Sequence, residues 1–118
     1  MNPQSNDQQT GSGIHVRIID GRKIVFDGED FLNDFFDWSE SLFEILASEC
    51  GLTRITDQHW QVVRFMREFY AYHGRAPLNR RLRKGTGLSV MQIEKLFPGG
   101  VKHGARRLSG LPNPKTCN

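Results

Sequence analysis

The chain has 118 residues, 37% of them hydrophobic, and a formal net charge of +3. That length allows one domain with a modest core, and no apolar run approaches the ~20 residues of a membrane span. Two cysteines without a CxxC or a His/Cys cluster argue against a disulfide framework or a zinc site, and fit a cytoplasmic, reducing location.

The opening MNPQSNDQQTGSG lacks the apolar segment of a secretory signal, so residues 1–13 are expected to form a disordered leader. HVRIIDGRKIVF then reads as a β-hairpin, with β-branched residues flanking an Asp20-Gly21 turn. Asp27-Gly28 breaks the second strand. Glu29 to Trp38 is acidic and aromatic, and offers Phe31, Phe35, Phe36 and Trp38 as core anchors.

A helix is expected from near Ser39, with Asp37 and Glu40 at capping-box spacing. Leu42, Leu46 and Cys50 fall on one face, which makes Cys50 a buried structural thiol, and Gly51 supplies the stop. Thr56 should cap a long helix from about Asp57 to His73, striped by Trp60, Val63, Met66, Phe69 and Tyr70 and ended by Gly74. His59 has no ligand neighbour at metal spacing and reads as a packing or capping residue. Pro77 opens a short basic helix, PLNRRLRK, and Gly85-Thr86-Gly87 turns the chain. Ser89 caps SVMQIEKLF, Pro98 ends it, and a last short helix covers Val101 to Leu108. The expected organisation is a single globular domain over 14–109, followed by a flexible arm over 110–118.

Charge is divided unevenly. Through His73 there are six Lys/Arg against twelve Asp/Glu; from Gly74 onward there are ten against Glu94 alone. The second half therefore suits an acidic partner, a nucleic acid or another anion, although a solvated basic face is the plainer explanation.

The tail LSGLPNPKTCN cannot build a core, yet it carries Cys117 to the penultimate position. Gly110, Pro112 and Pro114 keep it extended. An exposed thiol invites oxidation, so its position asks for a use. As thiolate it can attack sulfane sulfur, disulfides and persulfides, although a free cysteine with a pKa of ~8.5 is largely protonated at neutral pH. Lys102, Arg106, Arg107 and Lys115 are the candidates for steering a partner and stabilising the thiolate. The chain shows no Ser/His/Asp set, phosphate loop or catalytic carboxylate pair, which suits a carrier better than an autonomous enzyme. PLNRRLRKGTGLSVMQIEKLF also has the outline of a helix-turn-helix, which keeps a DNA-binding regulator open. Gln92, Glu94 and Lys95 are a thin set for reading base edges, however.

DQHWQVVRFMREFY, KLFPGG and the terminal GLPNPKTCN resemble the DsrC/TusE family of small sulfur-carrier proteins, also known as the gamma subunit of dissimilatory sulfite reductase. The similarity runs from about Val16 to the end. Gly110, Leu111, Pro112, Pro114 and Cys117 match the family's GLPKPxxCx ending, with Asn113 in place of lysine, and a shorter connection precedes KLFPGG.

The resemblance implies an α+β, mostly α fold: a small helical bundle with an N-terminal hairpin and a mobile C-terminal arm. It implies that Cys117 carries sulfur as a transient persulfide, with no other cofactor and no metal. The partners would be upstream relay proteins and a tRNA 2-thiouridylase, as for TusE-like members, or a sirohaem sulfite reductase, as for DsrC-like members. A monomer is expected for the free chain. Two-cysteine members have a second arm cysteine, which falls at Arg106 here, so this chain is closer to the single-cysteine, TusE-like members.

Overall fold

The computed structural model describes residues 13–113. The leader expected over 1–13 therefore lies outside the described residues except for Gly13, as do Pro114 to Asn118.

Strands β1 (His15–Ile19) and β2 (Arg22–Phe26) pair antiparallel from His15↔Phe26 to Ile19↔Arg22. The turn is Asp20-Gly21, both with positive φ, the geometry that matches strand twist in a two-residue hairpin. Ile19, Ile24 and Phe26 face the core, whereas Val16 and Ile18 face solvent.

The Asp27 carboxylate then accepts the N–H groups of Glu29 and Phe31 at 2.8 and 3.0 Å. This side-chain turn swings Phe31 and Leu32 into full burial. Phe35 and Trp38 are partly buried against the core, as expected of anchors. Phe36 is not an anchor: it lies 86% exposed on a short 3-10 turn, Phe35–Asp37.

Helix α1 (Glu40–Glu49) buries Leu42, Phe43, Leu46 and Ala47. Its cap is Ser39, whose Oγ accepts the Leu42 N–H at 3.0 Å. Asp37 ends the preceding turn, so the expected Asp37/Glu40 box is not formed. Cys50 is half-buried at the C-cap, its thiol 3.3 Å from the Ala47 carbonyl.

Helix α2 (Asp57–His73) is the spine. Its buried stripe is His59, Val62, Val63, Met66 and Phe69, with Trp60 and Tyr70 half-buried at its margins. His59 is a capping and packing residue: Nδ1 accepts the Thr56 N–H at 3.0 Å, and Nε2 lies 2.7 Å from the Leu96 carbonyl. Gly74 ends the helix with φ 74°.

Helix α3 (Asn79–Thr86) begins two residues after Pro77 and runs through Gly85, which had been expected in the turn. The Phe65 ring occupies the space a Cβ on Gly85 would need, so side-chain packing holds the helix together there. Thr86 Oγ bonds back to the Leu82 carbonyl, and Gly87 makes the turn. Helix α4 (Val90–Leu96) carries a reciprocal cap between Ser89 and Gln92. The last helix, α5 (Gly100–Arg106), is wound as a π-helix rather than as the expected short α-helix. Gly104 lies where a side chain would collide with the Pro98 carbonyl and Phe97, which is how α5 folds back so closely on α4. Among the described residues the architecture is five helices and a hairpin around one core, as expected.

Candidate functional site

The root of the C-terminal segment is built into the core. Leu108 and Leu111 are fully buried, so packed residues continue past Ser109. The Gly110 and Leu111 N–H groups bond back to the carbonyls of Arg107 and Arg106 at 3.1 and 3.2 Å. Gly110 has φ 78° and lies against Trp38, which fills the space of any Cβ there. Only glycine meets both demands without strain.

Two side chains clamp this root. Trp38 Nε1–H donates to the Leu108 carbonyl at 2.9 Å. The Arg67 guanidinium sits 3.8 Å from the Phe35 ring centre and 4.3 Å from that of Trp38. It donates to the carbonyls of Ser109 (2.9 Å) and Phe35 (3.1 Å). Burial pushes its pKa down to about 10, so it stays charged at neutral pH. The rings and carbonyls offset the desolvation in place of a carboxylate.

Beyond Leu111 the chain emerges beside Glu29. Asn113 Nδ2 donates to Glu29 Oε2 at 3.0 Å, and His103 Nε2 lies 3.1 Å from Oε1. The His103 and Asn113 hydrogen bonds hold the Glu29 carboxyl below its ordinary value. An open groove of about 400 Å³ adjoins this cluster, lined by Asp27, Glu29, Leu32, Asn33, Pro112 and Asn113 among others.

The sequence candidates are distributed unevenly about this exit. Cys117 and Lys115 lie outside the described residues. Lys102 reaches the exit, its Nζ 4.0 Å from Glu29 Oε1. Arg106 turns toward the Pro77 carbonyl (3.5 Å), with its Nε buried and unpartnered; burial lowers its pKa. Arg107 bonds the His103 carbonyl at 2.7 Å. Arg106 and Arg107 thus engage different carbonyls rather than one shared acid. Sequence reasoning missed Glu29, His103 and Arg67. No local signal could have paired Glu29 with His103, 74 positions apart. The one hint for Arg67 was an arginine within a mostly apolar helix face.

Among the described residues no group of three or more His, Cys, Asp and Glu is placed to hold a metal, and no helix is long and apolar enough to cross a membrane. What the geometry supplies is a root for the tail that is built into the core. From Asn113 to Cys117 is four residues, a contour of at most about 14 Å.

The family model for DsrC-like proteins matches residues 18–118, a span that includes the clamp, the exit cluster and the terminal motif. The chain belongs to the DsrC-like family. Its relatives in that family include the gamma subunit of dissimilatory-type sulfite reductase from Nitratidesulfovibrio vulgaris, 33% identical over 82% of this chain and 92% of the relative. Sulfurtransferase TusE of Yersinia pseudotuberculosis is 36% identical over 84% of this chain and 97% of its own length. Among solved structures, the oxidized gamma subunit DsrC of Archaeoglobus fulgidus superposes with a TM-score of 0.77 at 31% identity, covering 88% of this chain and all of that one. A chain from the crystal structure of dissimilatory sulfite reductase I gives 0.81 at 32% identity, with the same coverage. The DsrC-like fold implied by the resemblance is therefore present.

Proposed function

We propose that this protein is a sulfur-relay carrier whose Cys117 holds cargo sulfur as a persulfide. The observation that carries the reading is the terminal GLPNPKTCN, whose Gly110 and Leu111 are locked into the core by Trp38 and Arg67. A clamp that fixes the chain at Leu111, six residues before Cys117, limits the reach of its thiol to a contour of about 20 Å. Relatives named sulfurtransferase TusE support the same role.

In loading, the Cys117 thiolate attacks the outer sulfur of a donor persulfide. A new S–S bond forms as the donor's S–S bond breaks, and the donor leaves as a thiolate. Delivery is the mirror step: an acceptor thiolate takes the outer sulfur and Cys117 departs as thiolate. Neither step needs a net oxidant or a resident cofactor.

In this reading the donor is an upstream relay protein and the acceptor a tRNA 2-thiouridylase, both in the cytoplasm. By the resemblance of the tail, Arg106 falls where two-cysteine members have their second arm thiol, and its guanidinium is half-buried against Pro77. An intramolecular arm disulfide is thereby closed to this chain. A second reading, association with a sirohaem sulfite reductase, is favoured by the relative named as that enzyme's gamma subunit. A duplex-DNA regulator is not favoured: Gln92, a base-reading candidate of α4, is tied into the Ser89 cap.

Mixed-disulfide trapping separates these readings. In a Cys50→Ser background, activated Cys117 should capture the tRNA thiouridylase or its upstream donor. Capture of a sirohaem reductase instead would overturn the tRNA assignment in favour of the second reading.

A further inference from the structure

The surface made by the C-terminal half of α2 and by α3 takes no part in the arm or its clamp, and its chemistry is distinctive. Helix α3 packs four cations, Arg80, Arg81, Arg83 and Lys84, into eight residues without an acid. Arg75 extends the set, and between Asp57 and Glu94 the single acid is Glu68. None of these five cations forms an ion pair among the described residues, where the Lys and Arg pairs involve Arg17, Arg22 and Lys102. The fold needs little from them, since α3 is anchored by buried Leu82 and Thr86. Arg80 and Arg81 even occupy its first turn, where positive charge opposes the helix dipole.

Aromatic rings run through the same face. Phe69 lies 5.3 Å from the Arg81 guanidinium, 5.8 Å from that of Arg75 and 4.1 Å from the His73 ring. Tyr72 meets His73 edge-on at 4.9 Å and is 86% exposed. An open groove of about 410 Å³ runs beside them, lined by Phe65, Arg81, Lys84 and Gly85.

We propose that this α2–α3 face binds single-stranded nucleic acid, with the arginines and Lys84 along the phosphates and Tyr72 and His73 offering faces to bases. Unpaired cations over a buried Phe69, beside the solvent-facing rings of Tyr72 and His73, are the combination a single strand uses. An acidic peptide would need the cations but would leave the rings idle. A duplex would have to be read by α4, a seven-residue helix that carries Glu94 and a cap-bound Gln92. The inference stands apart from the carrier reading and uses none of its residues.

The test is fluorescence anisotropy of the full chain with a labelled oligouridylate or oligothymidylate about 12 nucleotides long, within the span one small fold covers. Binding to either is expected, with log K falling against log salt at a slope of about −2 to −3 for three or four neutralised phosphates. Arg81→Glu with Lys84→Glu should weaken binding about tenfold or more, and Tyr72→Ala about fivefold, in the range of lost base stacking. The charge-matched pair Lys23→Glu with Arg54→Glu, on other surfaces, should bind as the wild type does. If Arg81→Glu with Lys84→Glu unfolds, Arg80→Gln with Arg83→Gln takes its place. Four results would each overturn the proposal: undiminished binding by these variants, equal loss in the charge-matched pair, tighter binding to duplex, or binding of a polyglutamate peptide but not of the oligonucleotide. Sulfur loading of Cys117, measured in the same variants, should be unchanged, so failure here is distinguishable from failure of the carrier reading.

Discussion

At Arg67 one side chain joins three parts of the molecule: the α2 spine, the Phe35–Trp38 turn and the root of the tail. Lysine keeps the charge but cannot reach two carbonyls with one planar fork while stacked between rings. Arg67→Lys should therefore leave a carbonyl unsatisfied and lower unfolding stability by about 1–3 kcal/mol in urea titration; an unchanged midpoint would contradict the clamp. Glu29 makes a second residue-scale prediction. Its carboxyl is held below its ordinary value by His103 and Asn113, so the folded chain retains the negative charge to lower pH than the unfolded chain does. Those bonds contribute fully above the unfolded carboxyl's pKa and are lost as pH falls through the lower, folded value. The Asn113 side-chain amide resonances should shift with an apparent pKa under that of an exposed glutamate; a transition at or above the ordinary value would contradict the contact.

At the scale of elements, the tail root behaves as part of the core rather than as an appendage. Leu111 is fully buried beside Leu108 and Ala105. Leu111→Ala should cost about 2–5 kcal/mol, as a cavity in a packed interior does. A loss well under 1 kcal/mol would mean the root is free. Helix α3 shows where local signals stop. Pro77 suggested an earlier start, and Gly85 suggested a break, because both are strong local punctuation. The break is overridden by Phe65, which packs where Gly85 has no side chain, a fact carried by a residue twenty positions earlier. Ser39 likewise took the cap that spacing offered to Asp37. The hairpin turn and the Thr56 and Ser89 caps were legible because each is decided within four residues.

Over the whole molecule, the hairpin-first, helix-rich order and the terminal motif were readable from the sequence, and with them the family. The exit cluster was not. Glu29 meets Asn113 and His103 across 84 and 74 positions, and such a meeting exists only once the Asp27 turn and the fold-back of α5 are both in place. What emerges is a division of labour: a core that clamps the base of the tail, and a basic face on the α2–α3 side. Intact-mass measurement after incubation with a persulfide donor addresses the central claim directly. Wild type and Cys50→Ser should each gain the mass of one sulfur atom, reversibly on adding reductant, and Cys117→Ser should gain none. Sulfur uptake that survives in Cys117→Ser and disappears in Cys50→Ser would contradict the account.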